Sequence, residues 1–324
     1  MRAIRIHRTG GPEELQLDAI ELPEPGPGEA LVRHTAIGIN YLDTYHRSGL
    51  YPLPALPHGI GTEAAGVVEA VGPGVTEVRP GQRVAYVSSS PGAYAEARVV
   101  KAERLVPLPD GIADETAAAI LLKGMTVEFL VRRTFRVERG QTVLFHAAAG
   151  GVGLIACQWL RELGATVLGT VGSDEKAELA RAHGCTHPIV YTRENFVERV
   201  RALTANQGVP VVYDSVGKAT IEGSLDCLKP RGYLVSFGNA SGKPPPIDLL
   251  VLSQKGSLYV TRPTLFSYTA TRPELLASTA ALFELVQSGK ITVRIGQRWP
   301  LAEAASAHRA LESRATTGSS LLVP

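Results

Sequence analysis

Short apolar runs broken by Gly and Pro dominate the chain up to about residue 120. The β-rich runs are ALVRHTAIGI, AAGVVEAVG, QRVAYV and AYAEARVV, and the segments between them are PEPGPGE, GPGV and RPGQ. This texture is typical of a small all-β, barrel-like domain rather than of βαβ units.

From about residue 124 the pattern changes to helical stretches that alternate with apolar strands. The predicted helices are Met125–Thr134, Gly151–Leu163, Ser173–His183, Asn195–Thr204 and Lys218–Cys227. The predicted strands are Thr142–Phe145, Thr166–Val171, Pro188–Tyr191, Val209–Asp214, Tyr233–Phe237 and Ser257–Val260. Strands separated by helices in this way predict an α/β fold, a doubly wound parallel sheet with six strands and right-handed crossovers.

The C-terminal part carries a helical stretch at Ala277–Ser288, a short helix around Glu303–Ser313 and the apolar end GSSLLVP. We predict that this end is a strand that returns to the first domain. The expected domains are therefore residues 1–123 (β-rich), 124–263 (α/β) and 264–324 (the return segment). A chain of 324 residues is also too long for one ordinary core.

Residues Thr142–Gly153, TVLFHAAAGGVG, have the form of a strand, a turn of small residues and the start of a helix. Within them, Ala148-x-Gly150-x-x-Gly153 is a variant of the dinucleotide-binding fingerprint in which Ala replaces the first Gly. Small residues let the backbone approach a pyrophosphate, and the helix N-terminus offers unpaired N–H groups to it. The residues predicted to contact a nucleotide here are Ala148, Gly150, Gly151, Val152 and Gly153.

Bulk composition narrows the function classes. A net charge of +2 in a chain that is 44% hydrophobic gives no electrostatic case for nucleic acid. The apolar runs are shorter than the roughly 18–20 residues of a membrane span, and the N-terminus lacks the apolar core of a signal peptide. Cys157, Cys185 and Cys227 make a disulfide framework improbable and fit a reducing compartment. We therefore expect a cytoplasmic globular protein that binds neither membranes nor nucleic acid.

Six segments together resemble one family. They are AIGINYLDTYHRSGLYP (36–52), GTEAAGVVEAVGPGV (61–75), KGMTVEFL (123–130), HAAAGGVGLIACQWL (146–160), VVYDSVG (211–217) and ESRATTGSSLLVP (312–324). They are similar to the zinc-free quinone oxidoreductases, the zeta-crystallin-like branch of the medium-chain dehydrogenase/reductase superfamily, and the likeness runs nearly end to end. The resemblance implies a GroES-like barrel domain, a Rossmann domain and NADPH-dependent reduction of a quinone.

The residues at two key positions argue against a catalytic metal. Where zinc-dependent relatives of this superfamily carry Cys and His ligands, this sequence has Asn40 and Thr62, neither of which is a usual zinc ligand. The closely spaced His183, Cys185 and His187 are more often an ordinary helix-to-strand turn than a metal site. We therefore predict that no metal is bound.

Without zinc, fewer classes of hydride acceptor are suitable, because a metal would otherwise polarise a carbonyl and stabilise the developing charge. A quinone fits, since its reduction leaves charge delocalised over an aromatic ring. An enone or alkenal is a plausible alternative, and a simple alcohol or aldehyde fits poorly.

The second strand of the α/β domain indicates NADPH rather than NADH. NAD-specific domains usually carry an acid at the end of this strand, but here it ends in Val171, Gly172 and Ser173. Asp174 and Glu175 follow as first-turn residues after a Ser173 N-cap. Lys176 lies in the same turn, where the helix dipole disfavours a cation unless an anion is bound. The alternative is that Lys176 points to solvent and pairs with a neighbouring acid.

We expect the 2′-phosphate of NADPH to be held by Ser173, Lys176 and Tyr191, and the resemblance adds Arg314. Gly172, directly before Ser173, is a further expected cofactor contact. Further cofactor contacts are carried over by motif. They are Asn40, Thr126, Ser215, Phe237, Gly238, Asn239, Thr261, Arg262 and Pro263. Except for Asn40 and Thr126, each of these lies at the carboxyl end of a predicted strand, where ligands bind in such sheets. Any one of them taken alone could equally be an ordinary loop residue.

The predicted substrate pocket contains Asn40, Tyr45, Tyr51 and Thr62. Asn40 has the form of a helix N-cap, yet its amide could also reach a quinone oxygen or the cofactor. A Tyr hydroxyl could bond a quinone oxygen while its ring stacks on the acceptor, or either Tyr could be a core aromatic. No general acid is required, since quinol oxygens can take protons from water.

The sequence therefore predicts a cytoplasmic, zinc-free NADPH:quinone oxidoreductase. The alternatives are an alkenal or enone C=C reductase and an NADPH-binding protein with a structural or RNA-binding role. The sixth strand, SLYVT at 257–261, would leave an apolar edge exposed. Pairing of this edge with a second copy predicts a homodimer.

Overall fold

Sixteen strands are present in the computed structural model, which describes residues 1–314 and 316–324. They are β1 (Arg2–Ile6), β2 (Gln16–Ala19), β3 (Glu29–Ile39), β4 (His58–Gly59), β5 (Glu63–Val71), β6 (Arg83–Val87), β7 (Ala97–Lys101), β8 (Val106–Pro107), β9 (Thr142–Phe145), β10 (Thr166–Val171), β11 (His187–Val190), β12 (Val209–Asp214), β13 (Leu228–Ser236), β14 (Tyr259–Thr261), β15 (Ile295–Pro300) and β16 (Ser319–Val323).

Ten α-helices lie in the same described part of the chain. They are α1 (Tyr41–Ser48), α2 (Asp114–Phe129), α3 (Gly151–Glu162), α4 (Asp174–Ala182), α5 (Phe196–Leu203), α6 (Ile221–Asp226), α7 (Leu249–Gln254), α8 (Leu265–Tyr268), α9 (Arg272–Gln287) and α10 (Ala304–Glu312). A π-helical turn, Leu130–Thr134, follows α2, and short 3-10 turns lie at Pro12–Glu14, Ala102–Arg104 and Leu301–Glu303. Within the described residues, no helix combines the length and the apolar character that a membrane crossing requires.

The chain divides into two compact units. Unit 1 contains Met1–Lys123, Thr269–Gln287 and Val293–Pro324, and unit 2 contains Gly124–Tyr268 and Ser288–Thr292. The segment 264–324 therefore contributes mainly to unit 1, whereas its residues 264–268 and 288–292 group with unit 2.

Unit 1 is built on a seven-stranded sheet with the order β15-β16-β3-β5-β6-β8, in which β7 also pairs with β3. The long strand β3 is buried over most of its length because β5, β7 and β16 all pair with it. The C-terminal strand pairs antiparallel with β3 through Leu322 and Ile37, both of which are fully buried. The C-terminal residues Ser319–Val323 thus extend the sheet of unit 1.

Unit 2 contains a six-stranded sheet with the order β11-β10-β9-β12-β13-β14, and every pair in it is parallel. Its strands are near-continuous apolar runs because helices cover a parallel sheet on both faces. Side chains from successive strands meet in one core, among them Leu144, Leu168, Ile189, Val212 and Leu234. The predicted α/β class and six-stranded parallel sheet are confirmed.

Several predicted boundaries are wrong for local reasons. Helix α2 begins at Asp114 and not at the predicted Met125. The prediction missed its first turns because the apolar residues of this helix are spread around it and show no amphipathic period. Every side chain from Ala117 to Leu121 is buried. Strand β14, the last strand of the six-stranded sheet, begins at Tyr259 rather than at the predicted Ser257. Ser257 has φ 58°, which a strand cannot accommodate.

Candidate nucleotide-binding and substrate sites

The dinucleotide loop connects β9 to α3, whose N-cap is Gly150. A Cβ atom on Gly153 would lie 2.3 Å from the backbone oxygen of Ala147, so this position admits only Gly. Ala147 itself has φ 56°, a conformation that non-Gly residues adopt rarely and mainly where the surrounding structure imposes it. The amides of Gly151, Val152 and Gly153 open the helix and have no helical acceptor, so they are available to an anion.

The Ala that replaces the first Gly of the fingerprint is accommodated by a neighbouring strand. Ala148 is completely buried, and a Cβ atom on Gly169 of β10 would lie 2.7 Å from the Ala148 Cβ. The same Cβ would lie 2.5 Å from the sulfur of Cys185. Gly169 therefore makes the space that Ala148 occupies, a compensation that the loop motif does not reveal.

A buried chain of hydrogen bonds fixes this loop. The Ala147 N–H donates to Thr170 Oγ1 (3.2 Å), and Thr170 Oγ1 lies 2.9 Å from His146 Nδ1. His146 Nε2 lies 3.0 Å from Ser224 Oγ, which donates to Asp214 Oδ2 (2.8 Å). Because a carboxylate only accepts, Ser224 must accept from His146 Nε2–H, and Thr170 then donates to Nδ1. Burial lowers the pKa of His146, which keeps its imidazole neutral.

The same chain ends on the loop that follows β12. Asp214 also accepts hydrogen bonds from the backbone N–H groups of Val216 (2.8 Å) and Gly217 (2.9 Å), which fixes the loop that carries Ser215. The loops after β9 and β12 are thus anchored to opposite ends of one hydrogen-bonded chain. Sequence reasoning missed it because its members lie far apart in sequence, with 78 residues separating His146 from Ser224.

Replacement of Ser224 by Ala tests this chain. The substitution leaves the buried His146 Nε2–H without an acceptor, and we expect the free energy of unfolding to fall by about 1–3 kcal/mol. The measurement is urea unfolding monitored by fluorescence. Ser313→Ala, at the exposed C-cap of α10, is the control and should change stability by less than about 0.5 kcal/mol. If Ser224→Ala and Ser313→Ala lower the free energy of unfolding equally, Ser224 is not the acceptor of the His146 Nε2–H.

The predicted 2′-phosphate residues of unit 2 come together at the carboxyl ends of β10 and β11. Ser173 is the N-cap of α4, and its Oγ accepts from the Lys176 N–H at 3.3 Å. A Cβ atom on Gly172 would lie 2.9 Å from the Tyr191 hydroxyl, so that hydroxyl covers the glycine. Asp174 and Glu175 are first-turn residues of α4, as predicted. Arg314, in contrast, belongs to unit 1, where it follows α10.

The ends of β12 and β13 also approach each other closely. A Cβ atom on Gly238 would lie 2.4 Å from the Ser215 backbone oxygen, so Gly is required there. Arg262 donates to the Gly238 backbone oxygen (2.9 Å), and the Phe237 ring packs against Phe145 of β9 with 5.8 Å between centroids. The remaining predicted contacts of this unit are Thr126 on α2, Asn239 after β13, Thr261 at the end of β14, and Pro263.

In unit 1, Asn40 and Thr62 are buried and lie beside two carboxylates. Asn40 is the N-cap of α1, which confirms that reading, and its N–H donates to Asp43 Oδ2 at 2.8 Å. Its side-chain Nδ2 donates to Glu63 Oε2 at 2.8 Å. Thr62 Oγ1 donates to Asp43 Oδ1 at 3.1 Å. The side chains of Asn40 and Thr62, which stand where zinc-dependent relatives carry metal ligands, thus each donate a hydrogen bond to a carboxylate.

Glu63 is fully buried with a buried cation next to it. Its Oε1 accepts from the Leu122 N–H (2.6 Å), and Lys123 Nζ lies 3.7 Å from Oε2 while donating to the Ile39 backbone oxygen at 3.2 Å. Burial raises the pKa of Glu63, and the Lys123 charge opposes that rise. Sequence reasoning missed both residues, although an acid at the start of the apolar strand EAAGVVEAV was a detectable signal.

A second network extends from Asp43. The Tyr94 hydroxyl donates to Asp43 Oδ2 (2.9 Å) and lies 3.0 Å from His308 Nε2, while Arg47 Nη1 donates to His308 Nδ1 at 3.0 Å. Arg47 also pairs with Glu312 at 2.7 Å. Since Arg can only donate, Nδ1 accepts, and Nε2–H donates to Tyr94. Burial raises the pKa of Asp43 to about 7, and burial followed by the Arg47 charge lowers the pKa of His308 to about 3.

The depressed pKa of His308 predicts a pH effect on stability. In the unfolded chain His308 binds a proton below about pH 6.5, whereas in the native protein it stays neutral down to about pH 3. Because the unfolded state binds more protons in this range, lowering the pH favours unfolding. Gln can keep both the acceptor and the donor but cannot be protonated. Between about pH 7.5 and about pH 5, His308→Gln should therefore lose about 2 kcal/mol less unfolding free energy than the unaltered protein. The measurement is the unfolding free energy of both proteins by denaturant unfolding at each pH. If it falls by the same amount in His308→Gln and in the unaltered protein, the assignment of the pH effect to His308 is wrong.

Tyr45 and Tyr51 form an aromatic cluster on α1 and the turn after it. Their rings meet edge to face with 5.2 Å between centroids, and Tyr41 packs against Tyr45 at 5.8 Å. Tyr45 is buried, as the core-aromatic alternative requires, whereas Tyr51 is only half-buried. Tyr51 is therefore the more accessible of the two predicted pocket tyrosines.

Asn40 and Thr62, in place of the zinc ligands of zinc-dependent relatives, do not fit zinc. The Asn40 amide and the Thr62 hydroxyl donate hydrogens to carboxylates, whereas zinc in proteins takes thiolate, imidazole or carboxylate ligands. In the described part of the chain, no three His, Cys, Asp or Glu side chains are grouped to hold a metal ion. His183 Nδ1 lies 2.8 Å from the Leu179 backbone oxygen and Cys185 Sγ donates to the Val167 oxygen, as expected of an ordinary turn.

Comparison with known proteins agrees with the fold. A family model described as the alcohol dehydrogenase GroES-like domain matches residues 26–110, and one described as zinc-binding dehydrogenase matches residues 151–280. These matches define the class as the medium-chain dehydrogenase/reductase superfamily. The zinc-binding description rests on a range that includes neither Asn40 nor Thr62.

Individual relatives narrow the class. A quinone oxidoreductase of Pseudomonas aeruginosa is 55% identical over 323 residues, covering 100% of this chain and 99% of the relative. The crystal structure of Escherichia coli quinone oxidoreductase complexed with NADPH superposes with a TM-score of 0.99 at 51% identity and full coverage of both chains. A 2-haloacrylate reductase of a Burkholderia species is 45% identical, with 98% of each chain covered. The chain belongs to the quinone oxidoreductase family.

Proposed function

We propose that this chain reduces quinones with NADPH by direct hydride transfer and without a bound metal. The observation that carries the proposal is the pair Asn40 and Thr62, whose amide and hydroxyl groups donate to buried carboxylates. By the sequence resemblance, these two residues stand where zinc-dependent relatives carry Cys and His ligands. The chain combines this donor set with a dinucleotide loop. Without a Lewis acid, the acceptor itself must spread the developing charge, and a quinone does so over its ring.

The residues around the dinucleotide loop fit NADPH. Gly153 lets α3 pack closely on the loop backbone at Ala147, and the amides that open α3 would bind the pyrophosphate oxygens. Ser173, Lys176 and Tyr191 would hold the 2′-phosphate. The strand β10 and the turn after it, Val171 to Ser173, contain no acid, and Asp174 follows only as the first residue of α4. When bound, NADPH supplies the hydride, and the protein supplies orientation and electrostatics.

Glu63 orients the Asn40 amide toward an acceptor, whereas the Thr62 hydroxyl hydrogen is donated to Asp43. Asn40 Nδ2 carries two hydrogens, and Glu63 orients the amide by accepting one of them at 2.8 Å. We assign the other to an oxygen of the quinone. Tyr51 offers a ring for stacking and a hydroxyl for the same oxygen. Protons for the quinol come from water, so no general acid is required.

Reduction of a C=C bond is the second candidate function. The observation in its favour is the 2-haloacrylate reductase relative, since this name refers to an activated alkene. The second Asn40 amide hydrogen and the Tyr51 hydroxyl could stabilise the enolate that forms when hydride adds to a conjugated double bond.

The test compares initial rates of NADPH oxidation with 1,4-benzoquinone, 1,2-naphthoquinone, an alkenal and 2-chloroacrylate. We expect the quinones to react fastest. Faster turnover of the alkenal or the chloroacrylate would overturn the choice of substrate. Negligible turnover with every acceptor despite tight NADPH binding would favour a non-catalytic role, including RNA binding. One tightly held zinc per chain, measured on the pure protein, would contradict the metal-free mechanism.

We also propose a homodimer. Strand β14 is the edge of the six-stranded sheet, and Tyr259 and Val260 on it are exposed apolar side chains. Pairing of this edge with its copy would cover both. Sedimentation of the pure protein as a monomer at micromolar concentration would contradict this proposal.

A further inference from the structure

We propose that Arg193 determines coenzyme selectivity by neutralising Asp174, the acid that would otherwise repel a 2′-phosphate and favour NADH. This inference rests on the proposed use of NADPH. It adds a selectivity residue that lies outside the Gly loop and outside the set Ser173, Lys176 and Tyr191.

Asp174 lies where an acid can decide between the two coenzymes. It is the first residue of α4 and directly follows the N-cap Ser173 at the end of β10. In NAD-specific domains an acid near this strand end accepts hydrogen bonds from the ribose 2′-OH. A bare carboxylate here would assist NADH and repel the phosphate of NADPH.

The ion pair removes that charge. Arg193 Nη1 lies 2.6 Å from Asp174 Oδ2, and the pair joins the first turn of α4 to the segment after β11. The charge-assisted hydrogen bond lowers the pKa of Asp174, so the carboxylate stays ionised and paired with the guanidinium.

The surrounding segment holds Arg193 in place. Tyr191 lies two residues before Arg193, and its hydroxyl covers Gly172. Thr192 Oγ1 also donates to the Gly172 backbone oxygen at 3.4 Å. Arg193 is thus attached to the same strand end that we assign to the 2′-phosphate.

Folding stability does not explain the pair. Both partners are well exposed, with 58% of the Arg193 side chain and 65% of the Asp174 side chain accessible. Exposed ion pairs contribute little to stability. Variants of this pair should therefore fold normally, and an effect on nucleotide binding can be read directly.

The experiment measures the Kd of NADPH and of NADH by titration calorimetry for the full chain carrying Arg193→Gln, Asp174→Asn, or both. We expect Arg193→Gln to weaken NADPH about tenfold and to leave NADH within about threefold, since one charge at close range in water is worth roughly one decade of affinity. Adding Asp174→Asn should restore most of the lost NADPH affinity, because the uncompensated carboxylate is gone.

The control is the exposed Arg181–Glu178 pair on the same helix. Arg181→Gln should leave the affinities for both coenzymes unchanged. If Arg193→Gln affects NADPH and NADH equally, or if Asp174→Asn gives no recovery in the Arg193→Gln background, the proposal is overturned. If the unaltered protein binds NADPH no better than NADH, the proposed function fails as well, so the two failures are distinguishable.

Discussion

Replacement of Lys176 by Ala is expected to raise the Kd for NADPH between about 10-fold and about 100-fold, because a charge-assisted hydrogen bond to the phosphate contributes roughly 1.5–3 kcal/mol. Lys176 lies in the first turn of α4, where the helix dipole disfavours a cation and a bound anion would reverse that preference. The Kd for NADH should change by less than about threefold, since NADH has no phosphate at this position.

Calorimetric titration with both coenzymes provides the measurement, and Lys229→Ala provides the control. Lys229 is an exposed lysine of β13 in the same unit, and no cofactor contact is predicted for it. If Lys176→Ala weakens NADPH and NADH by the same factor, or neither, the 2′-phosphate assignment is wrong and Lys176 is a solvent-facing residue.

Replacement of Glu63 by Ala should lower the free energy of unfolding by about 3–5 kcal/mol, because it leaves the buried Lys123 ammonium without its countercharge. Glu63 is completely buried, and Lys123 is only 5% exposed, so water cannot readily substitute for the carboxylate. Asn40 and Leu122 also lose hydrogen bonds to the carboxylate.

Two further variants separate the ion pair from simple loss of volume. Lys123→Met in the Glu63→Ala background removes the stranded charge and should recover more than half of the lost stability. Glu69→Ala, in the same strand β5, breaks the exposed pair with Arg33 and should cost less than about 1 kcal/mol. Similar losses for Glu63→Ala and Glu69→Ala in denaturant unfolding would contradict the buried-pair account.

The fold of unit 2 could be predicted because its information is local. The strands Thr142–Phe145, Thr166–Val171 and Val209–Asp214 have the predicted bounds, since each is an apolar run with a turn or helix start after it. Helix α2 was misplaced because tertiary burial on all sides removes the periodicity that identifies a helix.

The candidate site was predictable only where a motif stands in one segment. The dinucleotide loop and the pair Asn40 and Thr62 follow from short patterns. The Arg47–His308 contact spans 261 residues, and the acceptance of Ala148 depends on Gly169 of a neighbouring strand. Such contacts arise from the packing of distant segments, and a single sequence carries no local signal for them.

Single-turnover oxidation of NADPH by 1,2-naphthoquinone tests the central proposal most directly. The full chain is treated with chelator, loaded with NADPH carrying hydrogen or deuterium at the transferable C4 position, and mixed with the quinone in a stopped-flow instrument. We expect one quinol per NADPH, a primary deuterium isotope effect on the rate, and no change on chelation, because the hydride passes directly to the acceptor. Absence of turnover, or turnover that chelation abolishes and zinc restores, would contradict metal-free hydride transfer to a quinone.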